Sequence, residues 1–175
     1  VYFGQGRYDA TISVNNIAKP RNRVAVDVKI NEGESARITT INILGNKAFS
    51  EKELLKLMQS KATHFTSFFK GDDKYARERL MGDLEALRSF YLDSGYINFA
   101  INSHQVTLSQ DKKSVFIDIS LNEGDKYQFG EPKILGEIPI NEQELQKLLL
   151  VKSGRDYSQQ LVTASSKLMK QRLGS

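Results

Sequence analysis

Two hydrophobic periods alternate along the chain. Val24, Val26, Val28 and Ile30 fall at every second position, as do Val115, Ile117, Ile119 and Leu121, and a period of two predicts strands with one face on a core. Leu80, Leu84, Leu87 and Tyr91 fall at i, i+4, i+7 and i+11, the stripe of one buried helix face, which Gly95 ends where a left-handed backbone is cheapest. An earlier helix carries Leu54, Leu57 and Met58 behind Ser50 and Glu53, a capping-box start. The β-branched run RITTINIL, 37–44, stops at Gly45-Asn46 and predicts the strand that opens the unit. From 35 to 124 the order is therefore strand, helix, helix, strand, strand, an α+β unit whose sheet has one face covered by two helices. The same alternation at Val24 to Ile30 places that earlier strand on a helix-covered core as well.

The pattern occurs more than once. INEGESARITTINILGN at 30–46 returns as LNEGDKYQFGEPKILGE at 121–137, with Asn31, Glu32 and Gly33 standing 91 positions before Asn122, Glu123 and Gly124. Ile43, Leu44 and Gly45 keep that offset to Ile134, Leu135 and Gly136, and Leu54 and Leu57 keep it to Leu145 and Leu148. Asn141 and Glu144 repeat the capping-box start. VYFGQGRYDATI at 1–12 lies over FYLDSGYINFAI at 90–101, so Gly6 matches the helix-ending Gly95. Three segments follow: 1–34, the closing hairpin of one unit; 35–124, a complete unit; 125–175, the opening strand and helices of a third. The first and last are complementary halves, and pairing between neighbouring molecules would build a hybrid unit.

One strand breaks its own parity. Ile97, Phe99 and Ile101 share one parity, Val106 and Leu108 the other, and strict alternation cannot keep both sets on one face. A β-bulge near Asn102, Ser103 or His104 restores the register, and bulges favour edges. The strand from Ile97 to Leu108 is therefore expected at a sheet edge with unpaired backbone groups.

Composition narrows the function classes. At 39% hydrophobic and 26% charged, the chain is ordinary for a globular protein, with no apolar run long enough to span a bilayer. It has no cysteine and two histidines, His64 and His104, and no nucleophile-elbow, zinc-protease or phosphate-loop pattern. No catalytic residue, metal site or cofactor is expected. Asp72 and Asp73 precede a helix, where acidic groups complement its dipole. The net charge of +4 and pI of 9.2 raise a basic α/β RNA-binding domain as an alternative. However, positions 35–124 hold 12 basic and 11 acidic residues without a block. No GxxG clamp or aromatic strand motif is present, and Lys19, Arg21 and Arg23 read as a solvated hairpin loop. No nucleic-acid partner is expected.

The strand-helix-helix-strand-strand order, the glycine after the first strand and the Asn-Glu-Gly closing the last one resemble the POTRA domain family. The stretch DKYARERLMGDLEALRSFYLDSGYINFAINSHQVTLSQDKKSVFIDISLNEGDKY is similar to the third such domain of an outer-membrane barrel-assembly factor. Residues 1–34 look like the end of the second domain and 125–175 like the start of the fourth. The resemblance implies tandem POTRA domains, each a three-stranded mixed sheet covered by two antiparallel helices. It implies a periplasmic interaction module of a Gram-negative outer-membrane protein, with a C-terminal membrane barrel of its own. Its partners would be unfolded outer-membrane proteins and a β-propeller accessory lipoprotein, bound by strand addition. A related translocation or secretion protein is the alternative. The contact would fall on Asn98, Phe99, Ala100, Ile101, Asn102, Ser103, His104, Gln105, Val106, Thr107 and Leu108, with Gly33 and Gly124 as hinges.

Overall fold

The structure, a computed structural model, describes residues 2–65, 67–133, 135 and 141–174. After a single 3-10 turn at Phe3–Gln5, strands β1 (Thr11–Lys19) and β2 (Arg23–Asn31) form an antiparallel hairpin. The complete unit follows: β3 (Arg37–Leu44), α1 (Glu51–Leu57), a one-turn helix α2 (Ser67–Lys70), α3 (Arg77–Asp93), β4 (Ala100–Leu108) and β5 (Ser114–Asn122). Helices α4 (Glu142–Leu148) and α5 (Gln159–Leu173) complete the described chain. The repeat's Ile134 and Gly136 lie outside the described residues, as does Thr66 in the loop between α1 and α3.

The unit's sheet has the order β3-β5-β4, with β3 parallel and β4 antiparallel to the central β5. A strand in the middle must bury one full face. Val115, Ile117, Ile119 and Leu121 accordingly join Leu80, Leu84, Leu87 and Tyr91 of α3, Leu54 of α1 and Met58 just beyond it in one buried cluster. Leu57, counted in the same helical stripe, is 38% exposed instead, because α1 ends there after seven residues. Ser50 caps α1 as expected: its hydroxyl accepts from the Glu53 amide, and the Glu53 carboxylate accepts from the Ser50 amide. At α4 the reciprocal half is missing. Asn141 accepts from the Gln143 amide, and the Glu144 carboxylate is engaged by Arg172 of α5.

Three buried carboxylates hold the loops of the unit to its core. Asp83, on α3, accepts from the Gln59 and Ser60 amides just beyond α1. Asp73 does not serve a helix dipole. It accepts both a forked contact from Arg37 Nη1, at 3.0 and 2.8 Å, and a bond from Thr63 Oγ1. Burial raises its pKa, yet the bonds from Arg37 and Thr63 and the Arg37 charge outweigh that and hold it below its ordinary value. Glu123 accepts from the Ala48 amide on both oxygens and from the Tyr91 hydroxyl at 2.8 Å. Burial first, and then this carboxylate, push the Tyr91 phenol far above its usual value, so it remains a donor. Tyr91→Phe should lower stability by about 2 kcal/mol, the scale of a hydrogen bond to a charged acceptor, read as a lower thermal midpoint with the fold retained.

The hairpin β1–β2 departs from expectation. Its alternation is as regular as that of β5, but Val24, Val26, Val28 and Ile30 are 62, 58, 55 and 52% exposed. Alternation fixes which side chains share a face; it does not supply the layer that covers them. None of the described helices does so.

Candidate partner-docking edge

The strand with broken parity is an edge strand. β4 lies at one side of the sheet, and its register against β5 shifts between Ile101 and Ser103, leaving Asn102 as the extra residue. The bulge resolves the parity conflict: Ile101, Val106 and Leu108 all pack against the core. The strand begins later than expected, at Ala100 rather than Ile97. Residues 97–99 form a turn in which the Ile97 amide bonds to Gly95 and the Phe99 amide to Tyr96. Phe99 is consumed by the core, stacked on Tyr91 with ring centroids 4.2 Å apart. Asn98 donates to the Tyr127 hydroxyl. The edge proper is therefore Ala100 to Leu108, and Asn98 and Phe99 lie outside it.

Apart from the sheet ladder, no backbone hydrogen bond among the described residues reaches positions 100–108. Beyond β4, the Ser109 amide donates to Ser114 O. Alternation from that bond points the amides of Thr107, Gln105 and Ser103 at β5 and those of Leu108, Val106 and His104 outward. The outer side chains Asn102, Ser103, His104, Gln105 and Thr107 are exposed. Natural edges are commonly guarded by lysine, other charges or proline, and AINSHQVTL contains none. Beside the bulge, Asn102 borders a polar recess of about 430 Å³ shared with Gly45, Lys47, Asn122 and Asp125.

The opposite edge is held near both of its ends. Along β3, the Ile38 amide donates to Asp73 O at 2.7 Å, Ile38 O accepts from the Thr63 amide, and Ala36 O accepts from the Tyr75 amide. Further along, the Ile43 amide donates to the Glu51 carboxylate at 3.0 Å. The chain thus spends a loop and a helix-start glutamate on one edge and nothing on the other. Gly45, which turns the chain out of β3, has no room for a side chain against the Leu121 backbone.

Both proposed hinge glycines sit in the same local geometry. Gly33 and Gly124 have φ of 65 and 67°, and their amides donate to Asn31 and Asn122 two residues back, each at 3.2 Å. The joints around them repeat as well. Gly6 O accepts from the Ala36 amide as Gly95 O accepts from the Tyr127 amide, and a short bridge follows in each, Arg37 to Lys74 and Gln128 to Asp156.

Ser67 Oγ lies 2.6 Å from His64 Nδ1, but Ser67 is fully buried and cannot meet a substrate. His104 is exposed on the edge. Among the described residues, no three His, Cys, Asp or Glu side chains converge as a metal site would require.

A three-stranded mixed sheet with two helices on one face, closed by an Asn-Glu-Gly turn, is the architecture of a POTRA domain. The model of that family, described as a surface antigen variable number repeat, matches residues 36–124, and the chain belongs to this family. Its relatives are outer-membrane assembly factors. It is 30% identical over 175 residues to the outer membrane protein assembly factor BamA of Neisseria meningitidis serogroup B, which covers 99% of this chain and 22% of that protein. It is 35% identical over 137 residues to BamA of Buchnera aphidicola, over 78% of this chain and again 22% of the relative. The chain therefore spans about a fifth of the length of these relatives. Among solved structures, the crystal structure of Haemophilus influenzae BamA POTRA3-5 matches with a TM-score of 0.60 at 18% identity, covering 98% of this chain and 65% of that one. That likeness bears on the fold alone.

Proposed function

We propose that this chain is a periplasmic docking module of an outer-membrane β-barrel assembly factor, and that β4 receives extended segments of its partners by strand addition. The observation that carries this reading is the asymmetry of the sheet: a nine-residue edge without Lys, Arg, Asp, Glu or Pro and with no outer backbone bond among the described residues, against an opposite edge that the chain's own groups hold near both ends. Strand addition draws affinity from main-chain hydrogen bonds, and sequence preference enters only through alternate side-chain positions. Such a mode suits partners that are still unfolded and differ in sequence. Unfolded outer-membrane proteins and the β-propeller accessory lipoprotein are the partners this reading assigns, and a membrane barrel would follow the module in the longer protein. The hinge role at Gly33 and Gly124 belongs to the same proposal. Reorientation there has to break the Gly6–Ala36 or Gly95–Tyr127 bond described above.

Proline at the edge is the test. His104→Pro removes an outward donor without touching the β5 ladder, a place where a sheet tolerates proline. Affinity for an extended outer-membrane-protein peptide should fall about tenfold, the worth of one hydrogen bond with its desolvation, while the thermal midpoint changes little. Amide shifts of labelled protein titrated with the peptide should concentrate on 100–108. Unchanged affinity in the folded variant, or shifts confined to the helices, would overturn the reading.

A further inference from the structure

We infer, resting on the strand addition proposed above, that the bulge at Asn102 limits the docking edge to His104–Leu108, so that its occupant is a segment of about five residues with apolar side chains beside Val106 and Leu108. An added strand needs outward amides and carbonyls at every second residue. β4 supplies them at His104, Val106 and Leu108. Beyond His104 the spacing fails. Ser103 stands opposite Ser120 and Ile101 opposite Leu121, so neighbours on β5 face residues that are two apart on β4, and the next outward position after His104 is Ile101, three residues back. A regular strand cannot meet both without a bulge of its own. Past Ile101 the edge soon ends, because residues 97–99 form the turn held by Gly95 and Tyr96. At the other end, Ser109 O accepts from the Lys112 amide and Ser109 Oγ bonds to Asp111, so a turn takes over directly after Leu108.

The side chains set the pattern of the partner. Val106 and Leu108 pack against the buried cluster yet remain half-buried, because β4 is the outermost strand and nothing lies outside them in the sheet. A residue placed opposite either one falls on the same helix-covered face and completes its cover. Gln105 and Thr107 are exposed on the other face, so residues opposite them stay in water. The segment that fits is therefore apolar at alternate positions and polar between them. Beyond the bulge the surroundings change, since Lys47 and Asp125 line the recess beside Asn102. A strand that ran on would leave an apolar margin for a charged one.

The bulge can be removed without disturbing the core. Deleting Asn102 sets Ser103 next to Ile101, as Ser120 is next to Leu121, so the pairing with β5 becomes continuous while Ile101, Val106 and Leu108 keep their face. Outward positions then recur evenly, and the run gains one more. Lysine-flanked peptides of alternating valine and threonine, with cores of three, five, seven and nine residues, are titrated into the labelled full chain. Wild-type affinity should rise at least about tenfold from three to five residues. From five to nine it should stay within about threefold, the statistical weight of extra registers. The deletion variant should gain about a further tenfold from five to seven, the worth of the added backbone pair. Wild-type affinity that climbs on through seven and nine residues, or a folded deletion variant that levels off at five, overturns the limit and leaves strand addition standing. Amide shifts that involve 100–108 at no peptide length remove strand addition and the limit with it. Should the deletion fail to fold, the wild-type series alone separates these outcomes.

Discussion

Ile117→Ala should destabilise the complete unit by about 3 to 4 kcal/mol, whereas Val26→Ala, the same position of the pattern 91 residues earlier, should cost less than about 0.5 kcal/mol in dilute solution. The two residues are equivalent in sequence and opposite in surroundings. Ile117 is 0% exposed on the central strand, between β3 and β4 and beneath α3; Val26 is 58% exposed on a two-stranded hairpin. Truncating the first removes transfer energy and leaves a cavity in a cluster that has no solvent to fill it. Truncating the second removes a side chain that already faces water. Thermal denaturation by circular dichroism separates them, with a fall of at least about 10 °C expected for Ile117→Ala. Equal effects at the two sites would mean that the hairpin face is covered in dilute solution.

The second large effect falls on Asp73. Asp73→Ala should cost about 3 kcal/mol, near the lower end for breaking a buried charged pair because Arg37 is partly exposed. The loss exceeds that of an ion pair alone. Asp73 also holds Thr63, and its backbone carbonyl holds Ile38 on the β3 edge of the sheet, so the loop from 59 to 75 loosens together. The pH dependence has a definite sign. The folded-state pKa of Asp73 lies below its ordinary 3.8, so its stabilising contribution is complete above that value and is lost as pH falls through the lower, folded one. The stability gap between wild type and Asp73→Ala should be constant from neutral pH to about pH 5 and shrink below about pH 4. A gap that instead widened on acidification would exclude this account.

Much of the fold is legible locally. RITTINIL marks β3 to the residue, the spacing of Leu80, Leu84, Leu87 and Tyr91 marks the buried face of α3, and Ser50 with Glu53 marks the start of α1. The conflict between Ile101 and Val106 locates the bulge because a period of two leaves no other way to keep both inside. What the sequence hides is long-range. Asp83, Asp73 and Glu123 satisfy groups tens of residues away, and no local period announces a carboxylate that will be buried beside a distant amide. Asp83 offered one signal, an acidic residue between Leu80 and Leu84 on the apolar stripe. The bond from the Ile43 amide to Glu51 was equally out of reach, since the same glutamate reads as an ordinary helix-start residue. The turn at 97–99 was missed because Ile97 and Phe99 carry strand parity while Phe99 is held by an aromatic stack with Tyr91.

The holding of β3 bears on the unit's valency. A sheet with two free sides can recruit neighbours in both directions and seed continuous cross-strand growth. Glu51 and the 63–75 loop hold β3 near both of its ends, so under the proposed strand addition the long free run is Ala100–Leu108 and the unit would have a strand valency of one. Any further strand would then be added to the newcomer's own far side. Growth would belong to the incoming segment, and the unit would act as the fixed end from which it proceeds.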